Sequence, residues 1–312
     1  MIRFFQTLII ALLFCSFWLK PVVAAPEVVV SIKPIHSLVA SVMEGVGSPT
    51  LIVKGSASPH GYSLKPSDAQ AIAKAKIVFW VGEELERFLE KSIQSLAKNA
   101  ETIWMVDAPG ITRLEFREGG AFGEHEEGSK GHSAHAGHDH GSIDMHLWLD
   151  PENAKAMVRH IAQSLKEADA ENAQKYAANA EALIAKLGSL DRELTEFLSP
   201  LKGTRFIVFH DSYQYFEKRF GLTASGSITV NPEIPPGAKR VKELRTKIIS
   251  LKARCVFSEP QFNPRLVDVV IEGLDAKSAA LDPIGSALNA GPELYFTLLR
   301  NIAKAMKGCL GS

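Results

Sequence analysis

Histidines are concentrated in one stretch of this chain, between Glu124 and His146. Six of the ten histidines lie there: His125, His132, His135, His138, His140 and His146. Neutral imidazole is a common protein ligand for zinc, copper and nickel, and His-rich tracts usually bind metal. The first hypothesis is therefore a metal-binding protein. The alternative is a solvated polar loop whose histidines are incidental.

Four candidate ligands stand at the ends of strand-like runs: His60, His210, Asp282 and, from the stretch above, His146. Ligands of open α/β sheets collect at the carboxyl ends of strands, where loops from different units converge. With His60 and His146 in a first domain and His210 and Asp282 in a second, this placement predicts one metal in the cleft between the domains.

Each of these residues also has a structural interpretation when it is taken singly. A lone histidine at a strand end is often only hydrogen-bonded, and an aspartate before proline often begins a turn. His36, near a helix start, and His160, within a helix, have surroundings that fit only this structural interpretation.

The elements that would position these residues alternate along the chain. Strands are predicted at 28–32, 51–53, 77–81, 102–106, 206–209, 225–230, 255–258 and 279–281. Helices are predicted at 37–44, 67–74, 83–97, 154–168, 213–220, 239–251, 264–274 and 292–307. This alternation is typical of βαβ units and parallel sheets, so the fold class is α/β.

One long helix separates the two α/β regions. An apolar stripe with steps of four and three residues runs through Tyr176, Ala180, Leu183, Leu187, Leu190, Leu194 and Phe197. It predicts a helix over 171–198, about 42 Å long at 1.5 Å per residue. The expected domains are 26–170, a linking helix at 171–199, and 200–312.

The N-terminus indicates export. Arg3 precedes an apolar run to Leu19, and Val23-Ala24-Ala25 resembles a cleavage site, which predicts a signal peptide over 1–25. The alternative, a membrane anchor, would need about 20 apolar residues, and this run has about 16. The formal net charge of zero gives no reason to expect nucleic acid as a partner.

Export makes the two cysteines outside the signal, Cys255 and Cys309, candidates for a disulfide. Two buried free thiols are the alternative. The segment 118–142 is rich in glycine, histidine and acidic residues, so we expect it to be disordered without metal.

Five separate motifs then carry a family resemblance. They are residues 59–68 (PHGYSLKPSD), 144–153 (DMHLWLDPEN), 209–213 (FHDSY), 258–262 (SEPQF) and 281–285 (LDPIG). With them the chain resembles the ZnuA family, the zinc-binding components of bacterial zinc ABC importers. The resemblance covers the mature chain and implies two similar α/β lobes joined by one long rigid helix. It also implies that Cys255 pairs with Cys309 and that 118–142 is the family's His-rich loop.

The resemblance implies a zinc site at His60, His146 and His210. Some relatives carry a glutamate before the first histidine as a fourth ligand, but this chain has Pro59 there. The fourth position therefore falls to Asp282 or to water, and we favour Asp282 because it aligns with an aspartate that many relatives use. Manganese and iron relatives tend to carry glutamate where this chain has His210, and three imidazoles suit Zn²⁺. Cu²⁺ and Ni²⁺ also suit such a site.

The implied function is capture of Zn²⁺ in the periplasm and its delivery, by a monomer, to the permease of an ABC transporter. The loop histidines His125, His132, His135, His138 and His140 would form weaker secondary sites. Alternatives are a binder of manganese or another divalent metal, an adhesin-like surface protein, and a zinc hydrolase. Three histidines with an open position also occur in hydrolases, but no His-Glu-x-x-His run is present. We therefore do not expect an enzyme.

Overall fold

Two parallel sheets form the framework of the molecule. The structure is a computed structural model and describes residues 25–117, 143–229, 232–234 and 236–311. The first sheet contains β1 (Val28–Val30), β2 (Thr50–Leu51), β3 (Ile77–Trp80) and β4 (Glu101–Trp104) in the order β2-β1-β3-β4. The second contains β5 (Phe206–Ile207), β6 (Cys255–Ser258) and β7 (Lys277–Ala280) in that order.

Helices surround both sheets, as expected for βαβ units. With the first sheet are α1 (Lys33–Val42), α2 (Pro66–Lys74), α3 (Arg87–Leu96) and α4 (Pro151–Ala168). The helix α5 (Ala173–Leu198) follows, and α6 (Gln214–Phe220), α7 (Ala238–Leu251), α8 (Arg265–Ile271) and α9 (Leu294–Leu310) accompany the second sheet. We refer to β1–α4 as the first lobe and to β5–α9 as the second. The predicted α/β class is confirmed.

The helix α5 packs against helices of both lobes. It contacts α1 and α4 of the first lobe and α6 and α9 of the second. The predicted stripe is buried except at its end, where Leu198 is buried and Phe197 is only partly so. Phe197 instead lies under the ammonium of Lys307, 4.0 Å from the ring centroid. The helix runs for 26 residues, so it spans about 39 Å.

In the second sheet, β5 and most of β6 are buried on both faces, whereas β7 is largely exposed. Phe206 and Phe257 belong to the large core that extends into the first lobe, whereas Ile207 and Val256 belong to a smaller core under α7 and α8. This alternation follows from the period of two in a strand. The strand predicted at 225–230 is reduced to an isolated parallel bridge with Val208.

Two predicted helix starts were wrong by four residues. α1 begins at Lys33, because Pro34 fits the first turn of a helix, where no amide hydrogen is needed. α3 begins at Arg87 and not at Glu83, because the buried Glu86 carboxylate accepts the amides of Val81 and Gly82 at 2.7 and 3.2 Å. Those bonds hold the preceding residues in a turn.

A disulfide joins Cys255, the first residue of β6, to Cys309 near the end of α9. The predicted pairing is therefore present. The bridge lies at the amino edge of the second sheet, opposite the edge where the candidate ligands converge.

Candidate metal centre

His146 is oriented by the aspartate two residues before it. It precedes a 3-10 turn at Leu147–Leu149 and is buried. Asp144 Oδ1 accepts the backbone amide of His146 at 3.0 Å and contacts its Nδ1 at 2.7 Å. Because the carboxylate accepts the Nδ1 proton, the Nε2 lone pair is left for a metal.

His210 is oriented in the same way from the second lobe. It lies just after β5, and its Nδ1 is 2.7 Å from Oε1 of Glu259, a buried residue directly after β6. Burial lowers the pKa of His210, but the negative charge and hydrogen bond of Glu259 outweigh burial, so the pKa is raised above its ordinary value. Glu259 therefore sets both the tautomer and the basicity of this ring.

His60 lies on the segment between β2 and α2 and is half-buried. The segment is fastened to α2 through Asp68, whose Oδ2 accepts the Tyr62 hydroxyl at 2.9 Å and the Lys65 amide at 3.0 Å. Burial, together with the neighbouring His210 and His146, holds the pKa of His60 well below its ordinary value. His60 is therefore neutral near pH 7, the form that binds metal.

The three imidazoles converge in the cleft. One ring nitrogen from each of His60, His146 and His210 lies within 4.8 Å of the other two. The Nε2 atoms of His146 and His210 are 3.3 Å apart. Zn–N bonds of about 2.0–2.1 Å in a tetrahedron place two ligand nitrogens about 3.3 Å apart. The spacing of these two atoms therefore fits a tetrahedral zinc ion. In the described part of the chain, no other group of His, Cys, Asp or Glu has such proximity.

A cavity of about 620 Å³ adjoins the imidazoles. Its walls include Glu84 and Arg87 of the first lobe and Asp211 and Glu233 of the second. A hydrated ion can reach the three histidines through this space.

Asp282 follows β7 but lies outside the imidazole group. Its Oδ1 accepts the amides of Ile284 and Gly285, and its Oδ2 accepts the amide and hydroxyl of Ser286. Gln261 Nε2 donates to Oδ1 at 2.8 Å. The carboxylate thus organises its own turn.

The other histidines divide into two groups. His36 is buried, with Nε2 3.1 Å from the Pro49 carbonyl oxygen, and His160 lies in α4, so neither joins the metal centre. The loop histidines lie outside the described residues: His125, His132, His135, His138 and His140.

Asp144 and Glu259 were not predicted as orienting residues. Their positions nonetheless carry a signal. Asp144 stands two residues before the candidate ligand His146. Glu259 directly follows β6, which pairs with β5, the strand that precedes His210. Sequence reasoning singled out the three histidines that the structure brings together because of the chemistry of imidazole. It missed the carboxylates because Asp and Glu are common at turns.

Two parallel sheets linked by a long helix, with imidazoles from both lobes meeting between them, define a metal-binding protein of the two-lobed solute-binding class. The chain matches the model of one family of this class, "ZnuA: Zinc-uptake complex component A periplasmic", over residues 28–309. It belongs to that family, whose members are binding components of an uptake complex and not enzymes.

Relatives and solved structures agree with this membership. The high-affinity zinc uptake system protein ZnuA of Brucella abortus is 50% identical over 304 residues, covering 91% of each chain. The ZnuA protein of Yersinia pestis is 36% identical over 297 residues, covering 92% of each. A crystal structure of ZnuA superposes with a TM-score of 0.76 at 27% identity, covering 91% of this chain and 98% of the other.

A further solved structure shares the fold. The laminin-binding protein Lmb of Streptococcus agalactiae superposes with a TM-score of 0.74 at 21% identity, covering 91% of this chain and 98% of its own. Among the described residues of our chain, none of the helices combines the length and apolar character that a bilayer crossing requires.

Proposed function

We propose that this protein binds Zn²⁺ through His60, His146 and His210 in the periplasm and delivers it to the membrane permease of a zinc ABC importer. The observation that carries the proposal is the convergence of three imidazoles from both lobes, two of them oriented by buried carboxylates. Family membership supports the delivery step and the periplasmic location. A signal peptide over 1–25 would account for export; residues 1–24 lie outside the described part.

The donor set favours zinc over manganese. Three neutral nitrogen ligands suit Zn²⁺, whereas Mn²⁺ prefers carboxylate, carbonyl and water oxygens. The bonds that Asp282 makes within its turn favour water over Asp282 in the fourth position. We therefore propose a site of three imidazoles and one solvent ligand, with the protein acting as a monomer.

The test is zinc titration of purified His60→Ala, His146→Ala and His210→Ala variants, with Mn²⁺ as competitor. Each variant should lose at least about 100-fold in zinc affinity, because a ligand to the ion is gone. His160→Ala is the matched control, since it removes an imidazole outside the cleft, and it should bind as the native protein does. Tight zinc binding that survives in His146→Ala and His210→Ala would contradict the site.

The same variants test delivery. In cells whose growth under zinc chelation depends on this protein, the three cleft variants should fail to support growth and His160→Ala should support it. If cells with the cleft variants grew normally, zinc uptake would not depend on the proposed site.

A further inference from the structure

Lys33 is a buried lysine at the start of α1, only 5% exposed. Its Nζ donates to the carbonyl oxygens of Gly285, Ser286 and Leu288 at 3.1, 2.6 and 3.0 Å. An ammonium has three donor hydrogens, and three carbonyl oxygens surround this one. Lysine is almost never buried unless it is paired. Here the partners of the Lys33 ammonium, which belongs to the first lobe, are carbonyl oxygens of the turn after β7 in the second lobe.

The same turn binds Asp282 from its opposite side. The Gly285 and Ser286 amides donate to the Asp282 carboxylate at 3.0 and 2.6 Å, and the Ser286 hydroxyl adds a bond at 2.8 Å. The peptide group between Gly285 and Ser286 therefore links the two charges. Its carbonyl accepts from Lys33, and its amide donates to Asp282.

This arrangement requires the backbone of Gly285. The residue has φ of +69°, in the left-handed region that glycine adopts readily. Burial lowers the pKa of Lys33, and the negative charge of the nearby Asp282 partly offsets this effect.

Two neutral hydrogen bonds also join the first lobe to this turn and to the segment between the turn and α9. Trp148, two residues after His146, donates its Nε1 proton to the Pro283 carbonyl oxygen at 2.7 Å. The Ser37 hydroxyl donates to the Pro292 carbonyl oxygen at 2.8 Å. Although the turn follows a strand of the second sheet, its position is set by residues of the first lobe.

We propose that Lys33 is a positioning residue that holds the Asp282 carboxylate in its turn and away from the three imidazoles, and so determines metal selectivity. The inference rests on the proposed zinc site. Without the ammonium, three carbonyls lose a donor and Asp282 loses its compensating charge. The turn then relaxes, and the carboxylate becomes available to an ion in the cleft. An added carboxylate oxygen favours Mn²⁺ more than zinc.

The experiment compares Lys33→Met, Asp282→Asn and the double variant, with Lys54→Met as a control because Lys54 is an exposed lysine of the same lobe. Affinities for Zn²⁺ and Mn²⁺ and the visible spectrum of the Co²⁺-loaded protein are measured. Asp282→Asn should keep zinc affinity within about threefold and leave the Co²⁺ spectrum unchanged. Lys33→Met should raise Mn²⁺ affinity relative to zinc by about tenfold, and the double variant should lose that gain.

Several outcomes would overturn the proposal. If Asp282→Asn alone weakens zinc binding by more than about tenfold or alters the Co²⁺ spectrum, Asp282 is already a ligand in the native protein. If Lys33→Met keeps the native metal preference, or the double variant keeps the gain, Lys33 does not act through Asp282. Should Lys33→Met fail to fold, Lys33→Gln replaces it in the same measurements, because it removes the charge but keeps a polar side chain; an unchanged metal preference in that variant would equally overturn the role of Lys33. An error in the proposed zinc site would be detected separately, because the His60→Ala, His146→Ala and His210→Ala variants would then bind zinc normally.

Discussion

Glu259 and Asp144 each hold one histidine so that its Nε2 atom faces the cleft. Both carboxylates are buried and 2.7 Å from an Nδ1 atom. A carboxylate in this position raises the basicity of a ligating imidazole and fixes its ring. We therefore expect the carboxylates to contribute to metal affinity without touching the ion.

For Glu259→Gln we expect zinc affinity about 10- to 100-fold weaker at pH 8, because the ring loses its charged acceptor. The pH dependence should also shift. The Glu259 charge raises the pKa of His210, so protons compete with zinc already above the ordinary histidine range. In the variant this pKa falls, and the loss of affinity on acidification should begin at a lower pH. Zinc titrations between pH 5 and 8 measure both effects.

Glu44→Gln is the control for that experiment, since Glu44 is exposed and does not line the cavity beside the three histidines. It should leave both affinity and pH profile as they are in the native protein. A Glu259→Gln profile that superposes on the native one after scaling would refute the role given to the carboxylate charge.

At the scale of the element, the disulfide and the metal centre occupy opposite edges of one sheet. Cys255 begins β6, and Glu259 follows its last residue, Ser258. The four residues of β6 thus separate the disulfide from the carboxylate that orients His210. Stability and metal binding should respond separately to loss of the bridge.

The double variant Cys255→Ser/Cys309→Ser should lower the free energy of unfolding by about 4 kcal/mol on the chain-entropy model. That estimate uses the sequence separation of 54 residues. Chemical denaturation measures the loss, and zinc titration of the folded variant should give native affinity. A tenfold loss of zinc affinity in the folded state would contradict the separation of the two edges.

Sequence patterns predicted the elements better than their ends. The stripe on α5 was found because its period depends only on which side chains are apolar. The start of α3 was missed because it depends on Glu86, a buried acid that binds the amides at the end of β3. The three histidines could be predicted from residue type and strand position. The turn that holds Asp282 depends on Lys33, about 250 residues earlier in the chain, and no local pattern reveals such a contact.

At the scale of the whole molecule, a second set of contacts, separate from those of Lys33, joins the two lobes beside the cleft. Arg117 of the first lobe pairs with Asp211, the neighbour of His210, and with Glu217 of α6. The Tyr215 hydroxyl accepts the Leu114 amide at 2.9 Å. With the Lys33 contacts, these bonds connect the lobes on more than one side, so we expect small lobe movements on metal exchange.

The described residues on either side of the segment 118–142 lie close together. Glu115 and Ile143 form an antiparallel bridge, so a deletion of residues 119–141 joins two parts of the chain that are already neighbours. We propose that His125, His132, His135, His138 and His140 capture zinc weakly and pass it to the cleft. The deletion should then retain one tight site and lose only weaker ones in a zinc titration. Loss of the tight site would contradict this division.

The two sheets have related orders. In the second, the segment around Ser227 lies beside β5 as β2 lies beside β1. The lobes are therefore topological repeats, and the residues that leave the corresponding strands can be compared. His210 leaves β5 and Lys33 leaves β1. One repeat unit thus presents an imidazole to the cleft, where we propose that an exchangeable Zn²⁺ binds, while the other carries the ammonium of Lys33, which is covalently part of the chain. At this pair of corresponding positions the pseudo-symmetry of the fold is broken: one lobe offers a ligand for a cation, and the other already holds a charge of its own.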